Sequence, residues 1–283
     1  MIRHLGETPI GEIHNAFIDA FSEYEVRMEM PIEKLQEMMT TRSYDGACSV
    51  GSFEGDHLTG FILVGSRETD AGRFFYDVAT GVRKAWQGKR IGETLLAALL
   101  ATLPGHGVRG FVLEVLENNK PAQALYARHG FRVTRKLHCY ERPLSPRPPH
   151  PALEEGEDAG GMPDSIPVET FCSFRPTWQN AEASYRNMPG AYHVVTERED
   201  GRLIGYGIVH RKNGSILQIG IDPAARSPDL LRKLVAKMSA RTDGQKLRYL
   251  NVEAGSAMEP LLREVGFTGS VNQFEMVYST PRE

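Results

Sequence analysis

Trp86-Gln87-Gly88-Lys89-Arg90-Ile91-Gly92 follows a β-like segment and opens an apolar helix, and the reading of this run decides the fold. Its glycines let the backbone approach a ligand closely. Amides at a helix start, here near Arg90 to Glu93, have no intrahelical partner and turn partial positive charge toward an anion. Lys89 and Arg90 add full charges beside them. The run therefore reads as a cradle for a phosphate-bearing ligand. Glycine-rich turns before helices also serve tight packing, so the neighbouring residues must separate the two readings.

Upstream of the run, apolar residues at helical spacing mark Ile10 to Phe21, and a second helix begins at Pro31 and runs near Met39. Cys48 to Phe53, Leu58 to Ser66 and Arg73 to Val82 are rich in β-branched and aromatic residues and read as strands joined by hairpin turns. After the run comes a helix from Ile91 to Leu103, stopped by Pro104-Gly105. A strand from Gly110 to Val115, a helix from Pro121 to Arg128 and a strand from Arg132 to Glu141 follow. This alternation predicts an α/β sandwich with a mixed sheet. The helix from Pro121 has Asn119 or Lys120 at its cap, proline in its first turn, and Gly130 placed for the left-handed conformation beyond its end.

A chain of 283 residues has room for two domains. Its net charge of -3 and isoelectric point of 6.3 argue against a nucleic-acid protein, which needs a basic face. Cys48, Cys139 and Cys172 lack metal-ligand spacing and read as free thiols in a reducing compartment, so the cytoplasm is expected and no metal is. No apolar stretch approaches the roughly 18 to 20 residues that cross a bilayer, and MIRHLGETPIGEIH lacks the apolar core of a secretion signal. From Pro143 to Pro167 the composition turns to proline, glycine and acid, including Glu154-Glu155-Gly156-Glu157-Asp158, and reads as a solvated connector.

Beyond the connector the pattern repeats. TGVRKAWQGKRIGETLLAALLATL lines up with IGIDPAARSPDLLRKLVAKMSA if the loop is shortened, and ALYARHGF lines up with PLLREVGF. Val82 to Gly130 and Ile221 to Gly266 have nearly equal lengths. The second copy has Ser227 for Gly88, Gly255 for Asn119 and Leu262 for Tyr126.

With these residues in view, the first half resembles the GNAT family of acetyl-CoA-dependent N-acetyltransferases. Val82-x4-Gln87-Gly88-Lys89-Arg90-Ile91-Gly92 is similar to the family's pyrophosphate loop, with Arg90 in the place of its middle glycine. Leu113-Glu114-Val115 comes next, and Asn119-x-x-Ala122-x-x-Leu125-Tyr126 with Gly130-Phe131 resembles a second family segment. The second half resembles the family weakly, through Ile219-Gly220-Ile221-Asp222-Pro223, the helix from Leu230, and Glu264-Val265-Gly266-Phe267. The resemblance implies two GNAT-like α/β domains, each a twisted mixed sheet flanked by helices. It puts a catalytic domain over 1–142, a linker over 143–167 and a degenerate copy over 168–283.

Acetyl transfer needs a neutral amine, and an alkylamine of pKa about 10.4 is neutral in roughly one molecule in two thousand at pH 7, a handicap of about 4 to 5 kcal/mol. A base or a water chain relieves it. Negative charge then builds on the thioester oxygen, where a backbone N–H stabilises it; the resemblance puts that donor at Gly81 to Val82. The leaving thiolate needs a proton, a task suited to the Tyr126 phenol. Asp77 and Glu114 are the candidate bases, with Glu117 or ordered water behind them. The cofactor contacts implied are Val82, Gln87, Gly88, Lys89, Arg90, Ile91, Gly92, Glu93, Asn119 and Tyr126, although Asn119 also suits a plain helix cap. His129 reads as complementing its helix C-terminus, and Trp178, Tyr185 and Tyr192 either line an acceptor pocket or belong to a core.

The function expected is acetyl transfer from acetyl-CoA to a small-molecule amine or a peptide N-terminus by direct attack, in a monomer or homodimer that binds neither nucleic acid nor membrane. A non-catalytic acyl-CoA-binding sensor or regulatory module is the alternative from another class.

Overall fold

The structure, a computed structural model, describes residues 1–22, 30–145 and 168–281. Packing divides the chain into two units, Met1–Thr134 with Glu275–Glu283, and Arg135–Phe274. This division differs from the sequence boundaries at 142 and 168 because strands cross it. One strand, Arg132–Pro143, leaves the first unit after Thr134, and the last strand, Thr268–Ser279, rejoins it at Glu275. Residues 146–167 of the connector, with the Glu154 to Asp158 charge run, lie outside the described residues.

The first unit runs β1 (Ile2–His4), α1 (Ile10–Ala20), α2 (Ile32–Thr41), β2 (Val50–Glu54), β3 (His57–Thr69), β4 (Gly72–Val82), α3 (Ile91–Thr102), β5 (Val108–Leu116), α4 (Lys120–Arg128) and the start of β6 (Arg132–Pro143). Only β1 goes unsignalled in the sequence, because three residues carry no period. The strands lie in the order β1-β2-β3-β4-β5, antiparallel except for the parallel pair β4/β5. A Cβ on Gly81 would meet Ala20 of α1 at 2.9 Å, and one on Gly60 would meet Ile91 of α3 at 2.9 Å. Gly81 pairs with Phe61 and Gly60 with Val82, so successive rungs put α1 and α3 on opposite faces of the sheet. Phe17 stacks on Phe61 on one face, while Leu95, Leu96 and Leu99 are buried on the other. Burying each such side chain contributes about 1.5 to 3 kcal/mol.

The second unit continues β6 and adds α5 (Val168–Phe171), α6 (Glu182–Arg186), β7 (Tyr192–Glu199), β8 (Arg202–His210), β9 (Ser215–Ile221), α7 (Pro228–Ala240), β10 (Lys246–Glu253), α8 (Met258–Glu264) and β11 (Thr268–Ser279). Its strand order is β6-β10-β9-β8-β7, with β9/β10 parallel. Leu231, Leu234, Val235 and Met238 of α7 share a core with Val209, Ile219 and Val252. Tyr185 and Tyr192 join Phe171, Tyr206 and Leu217 in a second cluster, their rings 6.1 Å apart. Of the three aromatics, these two are core residues.

Candidate active site

The loop before α3 is built by its backbone angles. After a single turn at Lys84–Trp86, Gln87 is extended and its amide Nε2 donates to the Val82 carbonyl at 3.1 Å. Gly88 then takes φ +75° and Arg90 takes φ +60°, ψ 20°. A Cβ on Gly88 would meet no atom within 4 Å, so the glycine answers to the positive φ and not to crowding. Arg90, where the resemblance expects a glycine, holds the left-handed region that L side chains rarely adopt. No side chain caps α3, whose Thr94 amide is bonded to the Arg90 carbonyl at 3.0 Å. The amides of Ile91, Gly92 and Glu93 precede that bond and have no intrahelical acceptor. Lys89 and Arg90 are exposed beside them, with the Lys89 Nζ 5.8 Å from the Trp86 ring centre. Such a loop can bind a phosphate.

The strands beside it part. β4 and β5 pair from Arg73↔Val108 to Tyr76↔Val112, and beyond that, among the described residues, β4 pairs with β3 alone. Arg83 N–H donates to the Thr59 carbonyl at 2.9 Å. The antiparallel alternation therefore turns the Gly81 amide toward β3 and the amides of Val82 and Thr80 toward the open side. Of the two residues where the resemblance puts the oxyanion donor, Gly81 turns its amide to β3 and Val82 turns its amide to the open side.

Two tyrosine–carboxylate pairs sit where the ladder ends. Tyr76 shares a face with Val112, hence with Glu114, and its hydroxyl donates to Glu114 Oε2. Burial, then the Glu114 charge, pushes the Tyr76 phenol well above its ordinary range. Asp77, the next residue, points to the opposite face, where the Tyr126 hydroxyl of α4 donates to its Oδ2 at 2.9 Å and Thr80 Oγ1 donates to the same oxygen at 2.7 Å. A bulge makes the second contact possible: Leu63 pairs with Ala79 and Val64 with Asp77, so Val78 is extra and Thr80 returns to Asp77's face. Asp77 Oδ1 is shut off from water and has no hydrogen-bond partner. Burial pushes the Asp77 carboxyl up to about 6, against the hydrogen bonds of Thr80 and Tyr126 and the charge of Arg42.

Asn119 caps α4, its Oδ1 accepting the Ala122 amide at 3.2 Å, and Gly130 ends the helix segment at φ +87°. His129 Nδ1 lies 3.0 Å from the Leu125 carbonyl, as expected of a ring that complements the helix end. The structure thus brings Asp77 and Tyr126 together, pairs Glu114 with Tyr76 on the other face, and holds the Gln87 to Glu93 loop against Val82. Thr80, Tyr76 and Arg42 escape sequence reasoning. Residues three apart on a strand face opposite sides unless a bulge intervenes, and Val78 gives no sign of one in the sequence. Among the described residues, no group of His, Cys, Asp or Glu is placed to hold a metal, and no helix is long and apolar enough to cross a membrane.

Comparison with known proteins bears on both units. The model of the acetyltransferase (GNAT) family matches residues 11–131, and that of the acetyltransferase (GNAT) domain matches residues 163–278. A mycothiol acetyltransferase of Thermobispora bispora is 26% identical over 245 residues, covering 76% of this chain and 78% of the relative. The GCN5-related N-acetyltransferase of Sphaerobacter thermophilus superposes with a TM-score of 0.71 at 15% identity over 99% of this chain and 95% of that one. A tandem GNAT protein from the clavulanic acid biosynthesis pathway does so with a TM-score of 0.66 at 15% identity over 100% and 99%. At such identities the structures speak for the fold, and the two family models, which between them account for most of the sequence, identify the chain as a tandem of GNAT domains.

Proposed function

We propose that this tandem is an acetyl-CoA-dependent N-acetyltransferase whose first domain carries the reaction and whose second has lost the cofactor site. One observation carries the reading: a phenol, Tyr126, stands on a carboxylate where β4 and β5 part, with a loop that holds two exposed cations opening α3, a helix no side chain caps. The residues suit CoA. The space over Gly88 is open, the first-turn amides of α3 have no intrahelical acceptor, and Val82 offers an N–H to the open side. Bound there, the thioester supplies an activated acetyl group. The chain would hold the pyrophosphate with Gln87 to Glu93, steady the developing oxyanion with Val82, take the amine proton at Asp77 or Glu114, and protonate sulfur from Tyr126. The acceptor on this reading is a small-molecule amine or peptide N-terminus. The Thermobispora relative, named for mycothiol, favours the small molecule.

Two measurements test this. Thiol release from acetyl-CoA, followed with a panel of small amines, amino acids, aminoglycosides and peptides, should rise with at least one of them. Tight CoA binding without turnover on any would favour the sensor. Equilibrium dialysis should find one CoA per chain, and Gly88→Val should weaken it about 5- to 150-fold, the equivalent of about 1 to 3 kcal/mol of backbone strain. A second equivalent of CoA, retained in Gly88→Val, would contradict the loss of the second site.

A further inference from the structure

We propose that Glu12 and Arg83 are positioning residues for the cofactor: together they tie α1 and the start of β3 to the loop before α3 and hold that loop in its phosphate-binding shape. The proposal rests on the acetyl-CoA reading above and assigns its loop a support from two residues outside it.

Burial separates the cations of this region. Lys89 and Arg90 are exposed. Arg83 leaves only 12% of its side chain to solvent and is engaged by the protein: its Nε donates to the Leu58 carbonyl at 2.6 Å, and a terminal nitrogen donates to Glu12 Oε1 at 3.1 Å. The same Glu12 oxygen accepts the Leu58 amide at 3.1 Å. Leu58 is therefore bound at both main-chain groups, and α1, β3 and the chain just past β4 meet on one carboxylate. Arg83 is also where strand gives way to turn. Its N–H donates to the Thr59 carbonyl at 2.9 Å, and its own carbonyl accepts the Trp86 amide at 2.9 Å, which opens the turn at Lys84–Trp86. Main chain and side chain are anchored at one residue, and the positive-φ positions Gly88 and Arg90 follow from that fixed point.

A second route leads from Glu12 to the loop. Glu12 Oε1 lies 3.6 Å from His57 Nδ1, the His57 ring is 5.5 Å from the Trp86 ring, and the Trp86 ring is 5.8 Å from Lys89 Nζ. Removing Glu12 leaves an enclosed guanidinium without its counter-charge, a state that favours turning Arg83 out toward water. The fixed point is then lost. A loop that its ligand must first order binds that ligand more weakly, and because the ordering precedes the reaction, the loss falls on KM and not on kcat.

The test compares Glu12→Ala, Glu12→Gln, Arg83→Met and the double variant Glu12→Ala/Arg83→Met in the full-length protein. The donors are acetyl-CoA and S-acetylpantetheine, a thioester without the pyrophosphate. Glu12→Ala and Arg83→Met should each raise the acetyl-CoA KM roughly 10- to 100-fold, with kcat within about twofold of wild type and kcat/KM for S-acetylpantetheine unchanged. Glu12→Gln keeps an oxygen that accepts from Arg83 and Leu58, and should recover most of the lost affinity. The double variant should be no worse than the worse single one, since the two residues act as a unit. Equal losses with both donors, or an unchanged acetyl-CoA KM in the folded variants, would overturn the proposal. Wild type that binds no CoA in equilibrium dialysis would sink the cofactor reading separately. Hydrogen exchange of the ligand-free protein then decides about the support, with Arg83→Lys, which keeps the charge but not the fork that spans Leu58 and Glu12, as the mildest variant. The Trp86 and Gln87 amides, bonded to the Arg83 and Lys84 carbonyls, should exchange roughly tenfold faster in it than in wild type. Unchanged exchange at both amides would refute the anchoring.

Discussion

The two units bulge their central strand at the same place, and they diverge in the side chains around that bulge. Val78 is the extra residue in β4 and Leu217 is the extra residue in β9, where Ile208 pairs with Gln218 and Val209 with Ile216. With Ile221 set against Val82, Ile216 takes the place of Asp77, and with Gly266 set against Gly130, Leu250 and Leu262 take the places of Glu114 and Tyr126. Three polar positions have become aliphatic. The gap past the end of the β9/β10 ladder is also filled from within the unit. Asn180 donates to the Leu217 carbonyl at 2.8 Å, Asn251 donates to Thr177 at 3.2 Å, and Thr177 donates to Asn180 at 3.0 Å, all four residues being buried or, for Leu217, nearly enclosed. A buried polar network with its partners in place is rigid and costly to open. One fold therefore carries two kinds of filling: in the first unit two tyrosine–carboxylate pairs stand where the strands part, and in the second the same gap is a hydrogen-bonded core.

Changing the same helix position in each unit puts this difference to its most severe test. Tyr126→Phe should cut turnover by about 100- to 10,000-fold, the usual weight of a general acid, with acetyl-CoA affinity little changed. Leu262→Ala should leave turnover per folded molecule alone and cost about 2 to 5 kcal/mol of stability, because Leu262 is fully buried among Val252, Met258 and Phe267. Steady-state kinetics and urea unfolding on both variants check the contrast. A kinetic defect in Leu262→Ala with normal stability would mean that the second unit takes part in the chemistry.

Buried carboxylates give the next contrast, of opposite sign in the two units. Asp77 is raised from 3.8 to about 6, so the folded chain binds the proton more tightly than the unfolded one and Asp77 costs stability as pH rises from about 4 to about 6. Glu259 in α8 goes the other way. Burial pushes it up, but hydrogen bonds from Tyr140 at 2.6 Å, from His138 and from the Gly255 amide at 2.7 Å outweigh burial and hold it below the ordinary glutamate range. Its contribution is present above the unfolded value of about 4.3 and is lost as pH falls through the folded one. Asp77→Asn should therefore stabilise the first unit at pH 7 by on the order of 2 kcal/mol, and Glu259→Gln should destabilise the second by about 1 to 3 kcal/mol. Hydrogen exchange resolved by unit, at pH 7 and pH 4, measures both. Shifts of the same sign would remove the contrast.

Sequence reading reaches the elements and the loop because both leave local marks. Gly88, Pro121 and Gly130 punctuate the chain wherever a turn or cap is needed, and the strands carry their β-branched residues in the open. The features that stay hidden depend on register. Asp77 and Glu114 are both visible as candidates, yet the Tyr76↔Val112 register decides that they occupy opposite faces and the bulge at Val78 decides that Thr80 joins Asp77, and neither feature has a residue signature. The replacement of Asp77 by Ile216 is hidden for the same reason, since it emerges only when the two bulges are aligned.

The finest contrast lies at the two helix starts. Ser227 caps α7, its Oγ accepting the Leu230 amide at 3.3 Å, and Pro228 in the first turn has no amide to satisfy. Arg90 at the start of α3 offers no side-chain cap and holds a left-handed backbone. Ser227→Ala should then destabilise by about 1 kcal/mol, whereas Arg90→Gly should stabilise by up to about 1 kcal/mol, since glycine takes that conformation without a clash. The gain in stability should come with weaker CoA binding, because one of the two exposed cations is gone and the loop is freer before the ligand arrives. Thermal unfolding with and without CoA separates the effects. If Arg90→Gly both stabilised the protein and bound CoA more tightly, the arginine would be a burden on the loop and not part of its hold on the phosphate.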